Sequence, residues 1–212
     1  MKQIIERGIE PRKPIAVIRL ANLEQAIYIS QALLAGHITT QEFALTNPKA
    51  LEAISQARRQ LSGEVLVGAG TVLNAESALA CIQAGAQFLV TPTFLPEVIT
   101  TGHSQGVKVL CGAFTPTEIL NAWQAGADLV KVFPAGQLGP GYIKDILGPL
   151  PDIPLVPTGG VNLSNCAAFF AAGAYTVGIG SSLVNNEIIQ KKDWASLTEL
   201  ARRYAQACIA TS

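Results

Sequence analysis

The stretch WQAGADLVKVFP, residues 123–134, carries the pattern on which the fold prediction rests. A helical segment ends at Ala125-Gly126, and an apolar, strand-like run begins at Leu129. Glycine directly after a helix supplies a left-handed C-terminal cap. The same order recurs in LLAGHITTQEF (33–43), IQAGAQFLVTP (82–92) and FAAGAYTVGIG (170–180). Each of these segments is predicted to end one helix and begin one strand.

Four further β-like runs lie between them: PIAVIRL (14–20), GEVLVGAG (63–70), VKVLCGAF (107–114) and IPLVPTGG (153–160). Together they place strand starts near residues 15, 39, 64, 88, 107, 129, 154 and 176, with room for a helix in every gap. The pattern predicts one (β/α)8 TIM-barrel domain over residues 1–212, with an N-terminal helix. A doubly wound sheet is the alternative, but the even spacing and the lack of GxGxxG after the first strand favour a closed barrel.

Three predicted helix starts carry capping signals. Asn22 with Gln25 precedes the first helix, and Asn74 precedes the third. In TPTE (115–118) the threonine is the cap, the proline occupies the first turn and the glutamate closes a capping box.

Composition limits the classes of partner. Fifteen Lys and Arg balance fifteen Asp and Glu without a basic cluster, which argues against nucleic acid and favours a small-molecule ligand. The four cysteines form no CxxC pair and are interpreted as buried, reduced thiols, while His37 and His103 lack metal-ligand spacing. We therefore expect no metal and no cofactor. Neither a signal peptide nor an apolar run of about 18 residues is found, so a cytoplasmic protein is expected.

Lys131 interrupts the apolar run that begins at Leu129. Alternation along a strand places Leu129, Lys131 and Phe133 on one face and two valines on the other, and the valine face suits the helix layer. Lys131 then points into the barrel near the carboxyl end of its strand, where barrel active sites lie. A lysine that snorkels to the rim is the alternative. A desolvated lysine is partly a free amine, so the second interpretation is a Schiff-base nucleophile.

Two further charged residues end neighbouring strands. Glu42 ends the second strand and shares the face of Thr40, so it is either a solvated surface residue or the proton shuttle of an imine-forming lysine. Arg19 ends the first strand and is either a rim ion-pair partner or a clamp for a carboxylate.

Glycine-rich segments end three other strands. VPTGG (156–160) and VGIGSS (177–182) end strands seven and eight, where barrels commonly bind phosphate through backbone N–H groups, although tight turns alone would also explain the glycines. VGAGTVLN (67–74) places the Thr71 hydroxyl at the same rim, or serves only as a loop to the Asn74 cap.

VGAGTVLN, VTP (90–92), KVFPA (131–135), PTGGVN (157–162) and GIGSSLV (178–184), in this order and spacing, resemble the 2-keto-3-deoxy-6-phosphogluconate (KDPG) and 4-hydroxy-2-oxoglutarate aldolases. These are class I aldolases, and the KDPG enzymes belong to the Entner–Doudoroff pathway. The resemblance runs from about Ile15 to Leu183. It implies a trimeric (β/α)8 barrel that cleaves KDPG to pyruvate and glyceraldehyde 3-phosphate.

The resemblance also implies roles for individual residues. Lys131 would form the imine and Glu42 would move protons, while Thr71 would hold the pyruvate carboxylate. The pyruvyl group would lie between Pro92 and Phe133. The phosphate would be held by Gly159, Gly160 and Ser181, with Gly180 shaping the last loop.

Two features affect the substrate prediction. Many members carry arginine four residues after the catalytic glutamate, where this chain has Thr46, so Arg19 is predicted to bind the carboxylate instead. Thr158 occupies a position that is apolar in galactonate-specific relatives, and its hydroxyl favours the gluconate isomer. Cleavage of the galactonate isomer or of 4-hydroxy-2-oxoglutarate, oxaloacetate decarboxylation through the same imine, and a pyridoxal-phosphate-binding barrel without aldolase activity remain alternatives.

Overall fold

The computed structural model describes residues 8–61 and 63–209. In this part of the chain, eight parallel strands form one sheet in the order β7-β6-β5-β4-β3-β2-β1-β8. The strands are β1 (Ile15–Ile18), β2 (Thr40–Ala44), β3 (Leu66–Gly70), β4 (Phe88–Val90), β5 (Lys108–Ala113), β6 (Leu129–Val132), β7 (Leu155–Pro157) and β8 (Gly178–Ile179). A parallel bridge between Thr158 and Gly178 brings β7 and β8 together. The predicted barrel is therefore confirmed and the doubly wound alternative is wrong.

Helices alternate with the strands. They are α1 (Ala26–Ala35), α2 (Ala50–Gln60), α3 (Ala75–Gln83), α4 (Pro96–Ser104), α5 (Pro116–Gln124), α6 (Gly139–Leu147), α7 (Cys166–Ala171), α8 (Asn186–Gln190) and α9 (Trp194–Ile209), with a short 3-10 helix at Ala135–Gln137. Residues 8–14 are not helical, and the predicted N-terminal helix otherwise falls on residues 1–7, outside the described residues. None of the helices described is long and apolar enough to cross a membrane.

The strands separate two apolar cores. Inward-facing side chains, among them Ile15, Leu110 and Leu129, pack together inside the barrel. Outward-facing side chains such as Val130 and Val132 belong to the larger core beneath the helices. The two valines of β6 thus face outward, as predicted. Lys131 faces inward, as a charged residue among apolar ones.

Two of the three predicted helix caps are present. The Asn74 side chain accepts a hydrogen bond from Ser77 N at 2.8 Å, and Thr115 with Glu118 forms the capping box that begins α5. The prediction for Asn22 is wrong. Its side chain accepts from Glu24 N in a turn, and α1 begins later, at Ala26, without a side-chain cap.

The glycine caps follow the prediction at three of four positions. Gly85, Gly126 and Gly173 have φ of 104°, 94° and 99°, the left-handed region that glycine adopts most readily. Gly36 is not left-handed, and His37 takes that conformation instead with φ of 68°. Gly36 packs against α9, where a Cβ would lie 2.4 Å from Ala201 Cβ. Close helix packing, rather than a turn, explains the glycine there.

Four cysteines are free and buried: Cys81, Cys111, Cys166 and Cys208. Desolvation raises the pKa of Cys81 and of Cys208 to about 12, so both are protonated at neutral pH. They are apolar core residues here, because the thiolate rather than the thiol is the reactive form.

Candidate active site

Lys131 lies on the inner face of β6, between Gly112 of β5 and Val156 of β7 in the strand register. Only 2% of the residue is exposed, so it is not a lysine that snorkels to the rim. Its Nζ lies 5.1 Å from the centroid of the Phe133 ring. In the part of the chain described, no carboxylate forms an ion pair with this amine.

The surroundings of Lys131 favour its neutral form. Burial in the barrel lowers the pKa of Lys131 below that of an ordinary lysine, since the ammonium loses its hydration. The charge of Glu42 opposes this effect, and the charge of Arg19 adds to it. A buried amine with a lowered pKa is a nucleophile at a pH where an exposed lysine is protonated.

Glu42 lies on the inner face of β2, paired in register with Val17 of β1 and Gly68 of β3. Glu42 is 2% exposed, so the alternative that it is a solvated surface residue is excluded. Its Oε1 atom is buried without a hydrogen-bond partner among the residues described. The carboxylate is close enough to Lys131 for its charge to influence the pKa of the amine.

Arg19 directly follows β1, the strand that pairs with β2. Its positive charge lowers the pKa of Lys131, so it lies near the amine. The Arg19 side chain is exposed. An exposed guanidinium keeps most of its hydration when it has no partner. Replacement of Arg19 is therefore expected to cost less binding free energy than replacement of a buried charged residue.

Thr71 directly follows β3 and has φ of 60°. This left-handed conformation is unfavourable for a β-branched residue. The side chain is half-buried, and its hydroxyl makes no hydrogen bond to another residue in the described ranges. Strain of this kind is concentrated at binding and catalytic sites, and the free hydroxyl is available to a ligand.

Pro92 and Phe133 line one cavity of about 230 Å³, together with Ala113, Phe114 and Pro134. The walls are mainly apolar, and Phe133 also contacts the Lys131 amine. A larger depression, of about 500 Å³, lies on the outer helices beside the stacked rings of Tyr28 and Trp194. None of the predicted site residues lines that depression.

The loop after β7 contains two consecutive left-handed glycines, Gly159 and Gly160, with φ of 82° and 81°. A Cβ on Gly160 would lie 2.6 Å from Gly136 Cα, so the loop packs too closely for any side chain there. Gly180 follows β8 and has open space beside it, and Ser181 is exposed. Both loops lie at the carboxyl ends of their strands, and the structure described here shows no bond between Ser181 and the glycine pair.

Two polar residues that were not predicted from the sequence form hydrogen bonds that stabilise these loops. Asn165 Nδ2 donates to Gly160 O at 2.9 Å, and Asn165 Oδ1 accepts from Asn162 N at 2.8 Å. Ser182 Oγ donates to Val161 O at 2.6 Å and so joins the two loops. The only sequence signal for them is their proximity to the glycine motifs.

Seven of the predicted residues lie on the strands or directly after them. Glu42 and Lys131 lie on the inner faces of β2 and β6, and the residues that directly follow β1, β3, β6, β7 and β8 are Arg19, Thr71, Phe133, Thr158 and Gly180. Thr158 is 6% exposed, and its hydroxyl donates weakly to Val156 O at 3.3 Å. Across residues 8–61 and 63–209, no group of three or more His, Cys, Asp or Glu side chains could hold a metal ion.

The sequence pattern of the family described as "Aldolase: KDPG and KHG aldolase" matches residues 5–200. This chain belongs to that family. It is 36% identical to the 2-dehydro-3-deoxy-phosphogluconate aldolase of Treponema pallidum over 203 residues, which cover 95% of this chain and 96% of the relative. It is also 36% identical to a probable 2-dehydro-3-deoxy-6-phosphogalactonate aldolase of Rhizobium meliloti over 173 residues, 81% of this chain and 82% of the relative.

Among solved structures, the KDPG aldolase of Legionella pneumophila is 31% identical and superposes with a TM-score of 0.84, covering 90% of this chain and 92% of that one. In that structure pyruvate was captured at low pH as a covalent carbinolamine intermediate. A carbinolamine is the adduct that precedes an imine, so a member of the aldolase family uses amine chemistry. The equal identity to gluconate and galactonate relatives does not distinguish the two isomers.

Proposed function

We propose that the chain is a class I aldolase that cleaves KDPG to pyruvate and glyceraldehyde 3-phosphate through a Schiff base on Lys131. The observation that carries the proposal is the buried Lys131 amine, which faces the barrel interior, has no ion-pair partner among the described residues and has a lowered pKa. Family membership supports the reaction class, since the relatives are named as aldolases.

The proposed reaction begins when Lys131 Nζ adds to the C2 keto carbon. The C2 oxygen leaves as water, and a protonated imine forms. A base removes the proton of the C4 hydroxyl, the C3–C4 bond breaks, and the aldehyde leaves while the bonding electron pair moves towards the imine nitrogen as an enamine. Protonation of C3 and hydrolysis of the imine release pyruvate and the free amine. The iminium is the electron sink, so the step needs no metal.

Glu42 is proposed to move the protons of these steps, because its buried carboxylate has no competing partner in the described residues. Thr71 and Arg19 are proposed to bind the substrate carboxylate. Thr71 supplies a hydroxyl, and the exposed guanidinium of Arg19 supplies the positive charge that Thr46 does not. Pro92 and Phe133 would enclose the pyruvyl group.

The phosphate is proposed to lie between the loops after β7 and β8. Gly159, Gly160, Gly180 and Ser181 would hold it through backbone N–H groups and one hydroxyl. Backbone donors suffice for such a site, as they do in other anion-binding concavities.

Thr158 supports the gluconate isomer as the preferred substrate. Its buried hydroxyl lies on the inner face of the barrel, and its weak bond to Val156 O leaves it able to accept or donate to a substrate hydroxyl. Because the chain is as similar to a galactonate relative as to a gluconate relative, the galactonate isomer is the second candidate. Oxaloacetate decarboxylation through the same imine is a further activity to measure.

We also propose a homotrimer in the cytoplasm. Large apolar side chains are exposed on the sector of the barrel around β3 to β5, where Leu73 is 53%, Phe114 40% and Trp123 38% exposed. Burial of such a sector between subunits would remove it from water. The four free thiols suit a reducing compartment. Light scattering on the purified chain tests the trimer, and a monomeric mass would contradict it.

The proposed activity is tested by incubating the purified chain with each keto-deoxy sugar acid in the presence of a chelator. Formation of equal amounts of pyruvate and glyceraldehyde 3-phosphate, with a higher kcat/KM for the gluconate isomer, is expected. Replacement of Thr158 by valine should reduce that preference. A higher kcat/KM for the galactonate isomer would contradict the substrate assignment, and loss of activity on chelation would contradict the metal-independent reaction.

A further inference from the structure

Gly70 is the last residue of β3 and lies on its inner face, two positions after Gly68. A Cβ built on Gly70 would lie 1.7 Å from Glu42 Oε1, 2.4 Å from Glu42 Cδ and 2.7 Å from Glu42 Cγ. These distances are far inside van der Waals contact. The end of the Glu42 side chain therefore occupies the volume that any side chain at position 70 would need.

The backbone gives no other reason for glycine at this position. Gly70 lies outside the left-handed region, so an alanine could adopt its backbone conformation without strain. Thr71, the next residue, does adopt that region and is not a glycine. The requirement at position 70 is for space beside Glu42.

Polar contacts do not hold the Glu42 carboxylate in place. Oε1 is buried without a hydrogen-bond partner, and Glu42 forms no ion pair in the described ranges. Its position is set by the register of β2 between β1 and β3 and by the flat surface that Gly70 presents. Among the described residues, packing against Gly70 rather than a hydrogen bond or ion pair therefore fixes where this proton-transfer group lies.

We propose that Gly70 is a positioning residue for proton transfer. By lacking a side chain it lets the Glu42 carboxylate lie beside Lys131, where protons are moved to and from the enamine carbon. Gly70 acts through Glu42 and makes no contact with substrate. This inference rests on the proposed function, in which Glu42 is the proton shuttle.

The test uses Gly70→Ala and measures two steps separately with pyruvate. Imine formation is measured by borohydride trapping, and proton transfer by exchange of the pyruvate methyl protons with deuterated water. We expect trapping to persist and exchange to slow by about 10- to 100-fold, a part of the 10²- to 10⁴-fold that a well-placed general base contributes. Equal losses in both steps would overturn the proposal.

A shorter carboxylate provides the rescue. In the parent, Glu42→Asp should slow exchange because the carboxylate is withdrawn from the amine. In the Gly70→Ala background the same change should speed exchange, because aspartate avoids the added methyl group. This reversal of sign is specific to a steric contact between the two positions. If Glu42→Asp slows exchange by the same factor in both backgrounds, the proposal is wrong.

Gly102→Ala is the matched control. Gly102 is also buried and not left-handed, and its added Cβ would lie 2.5 Å from Val109 Cγ2 in the outer layer, away from Glu42. This variant should lose thermal stability but keep the parental exchange rate, and a comparable loss of exchange would overturn the proposal. If Gly70→Ala does not fold, folding of the double variant with Glu42→Asp supports the steric contact, and its failure to fold refutes it.

A separate variant distinguishes this inference from the proposed function. Glu42→Gln in the parent should slow methyl exchange while trapping persists. If Glu42→Gln exchanges at the parental rate, then Glu42 is not the proton shuttle and the proposed function fails at that step. If Glu42→Gln is slow but Gly70→Ala is not, only the inference about Gly70 fails.

Discussion

Thr71→Gly is expected to make the protein more stable and less active. Thr71 has φ of 60°, and the left-handed conformation costs a residue with a Cβ about 1–2 kcal/mol. Glycine removes that cost, but it destabilises the protein by about 0.5–1 kcal/mol because it gives the unfolded chain more conformational freedom. The central values of the two ranges leave a gain of about 0.75 kcal/mol, which corresponds to a rise in Tm of about 1.5–3 °C in a chain of this size.

The same substitution removes the hydroxyl proposed to bind the substrate carboxylate. A hydrogen bond to a charged group contributes about 1.5–3 kcal/mol, so kcat/KM should fall by about 10- to 150-fold. Thermal unfolding followed by circular dichroism measures the first effect, and initial rates of KDPG cleavage measure the second. The pair of opposite changes is the signature of strain maintained for binding.

Two variants separate the backbone from the hydroxyl. Thr71→Val keeps the strained backbone and loses the hydroxyl, so it should lose activity without gaining stability. His37→Gly relieves the same conformation, φ of 68°, at an exposed position outside the site, and should gain stability without losing activity. If Thr71→Gly is no more stable than the parent, the strain argument is refuted. If Thr71→Val is fully active, the hydroxyl does not bind the carboxylate.

The other variants address the charged residues. Lys131→Met should abolish turnover but still fold, and its gain in stability over the parent should be largest at low pH. The pKa of Lys131 is lowered in the folded state, so below that folded pKa the parent bears the full free-energy cost of a buried ammonium, and this cost decreases as pH rises through it. Unfolding measured at several pH values tests this dependence. Retention of a tenth of the activity would place the nucleophile elsewhere. Glu42→Gln should retain borohydride trapping and slow methyl proton exchange by about two to four orders of magnitude, whereas equal loss of both would mean that Glu42 mainly sets the protonation of Lys131. Arg19→Met should raise KM for pyruvate exchange and for cleavage, by less than the loss of a buried charge would, and adding Thr46→Arg should recover part of it. An effect on phosphorylated substrates alone would assign Arg19 to the phosphate end.

Local sequence signals predicted the barrel and the inner position of Lys131. The Ala-Gly pairs and the two-residue alternation depend on neighbouring residues only, and the observed β6 begins at Leu129 as expected. Lys131 could be selected because a charged residue in an apolar run is uncommon, and Glu42 because it shares the face of Thr40 on the second predicted strand. The proximity of Lys131 and Glu42 follows from the closure of the barrel.

Features that depend on distant contacts could not be predicted. Gly36 was interpreted as a left-handed helix cap, but glycine is required there because Ala201 of α9, distant in sequence, packs against it. Gln41 is a polar residue in a buried strand, and its amide donates to Ser30 O and Ile38 O beneath α1. The exposure of Arg19 and the packing of Glu42 on Gly70 are likewise properties of the assembled barrel.

Borohydride reduction of the protein in the presence of pyruvate tests the central claim most directly, since it captures the imine on the residue that forms it. Peptide mapping by mass spectrometry should find one reduced pyruvate adduct, located on Lys131, and no adduct in Lys131→Met. Recovery of unmodified protein, or an adduct on another lysine with Lys131 intact, would contradict the account.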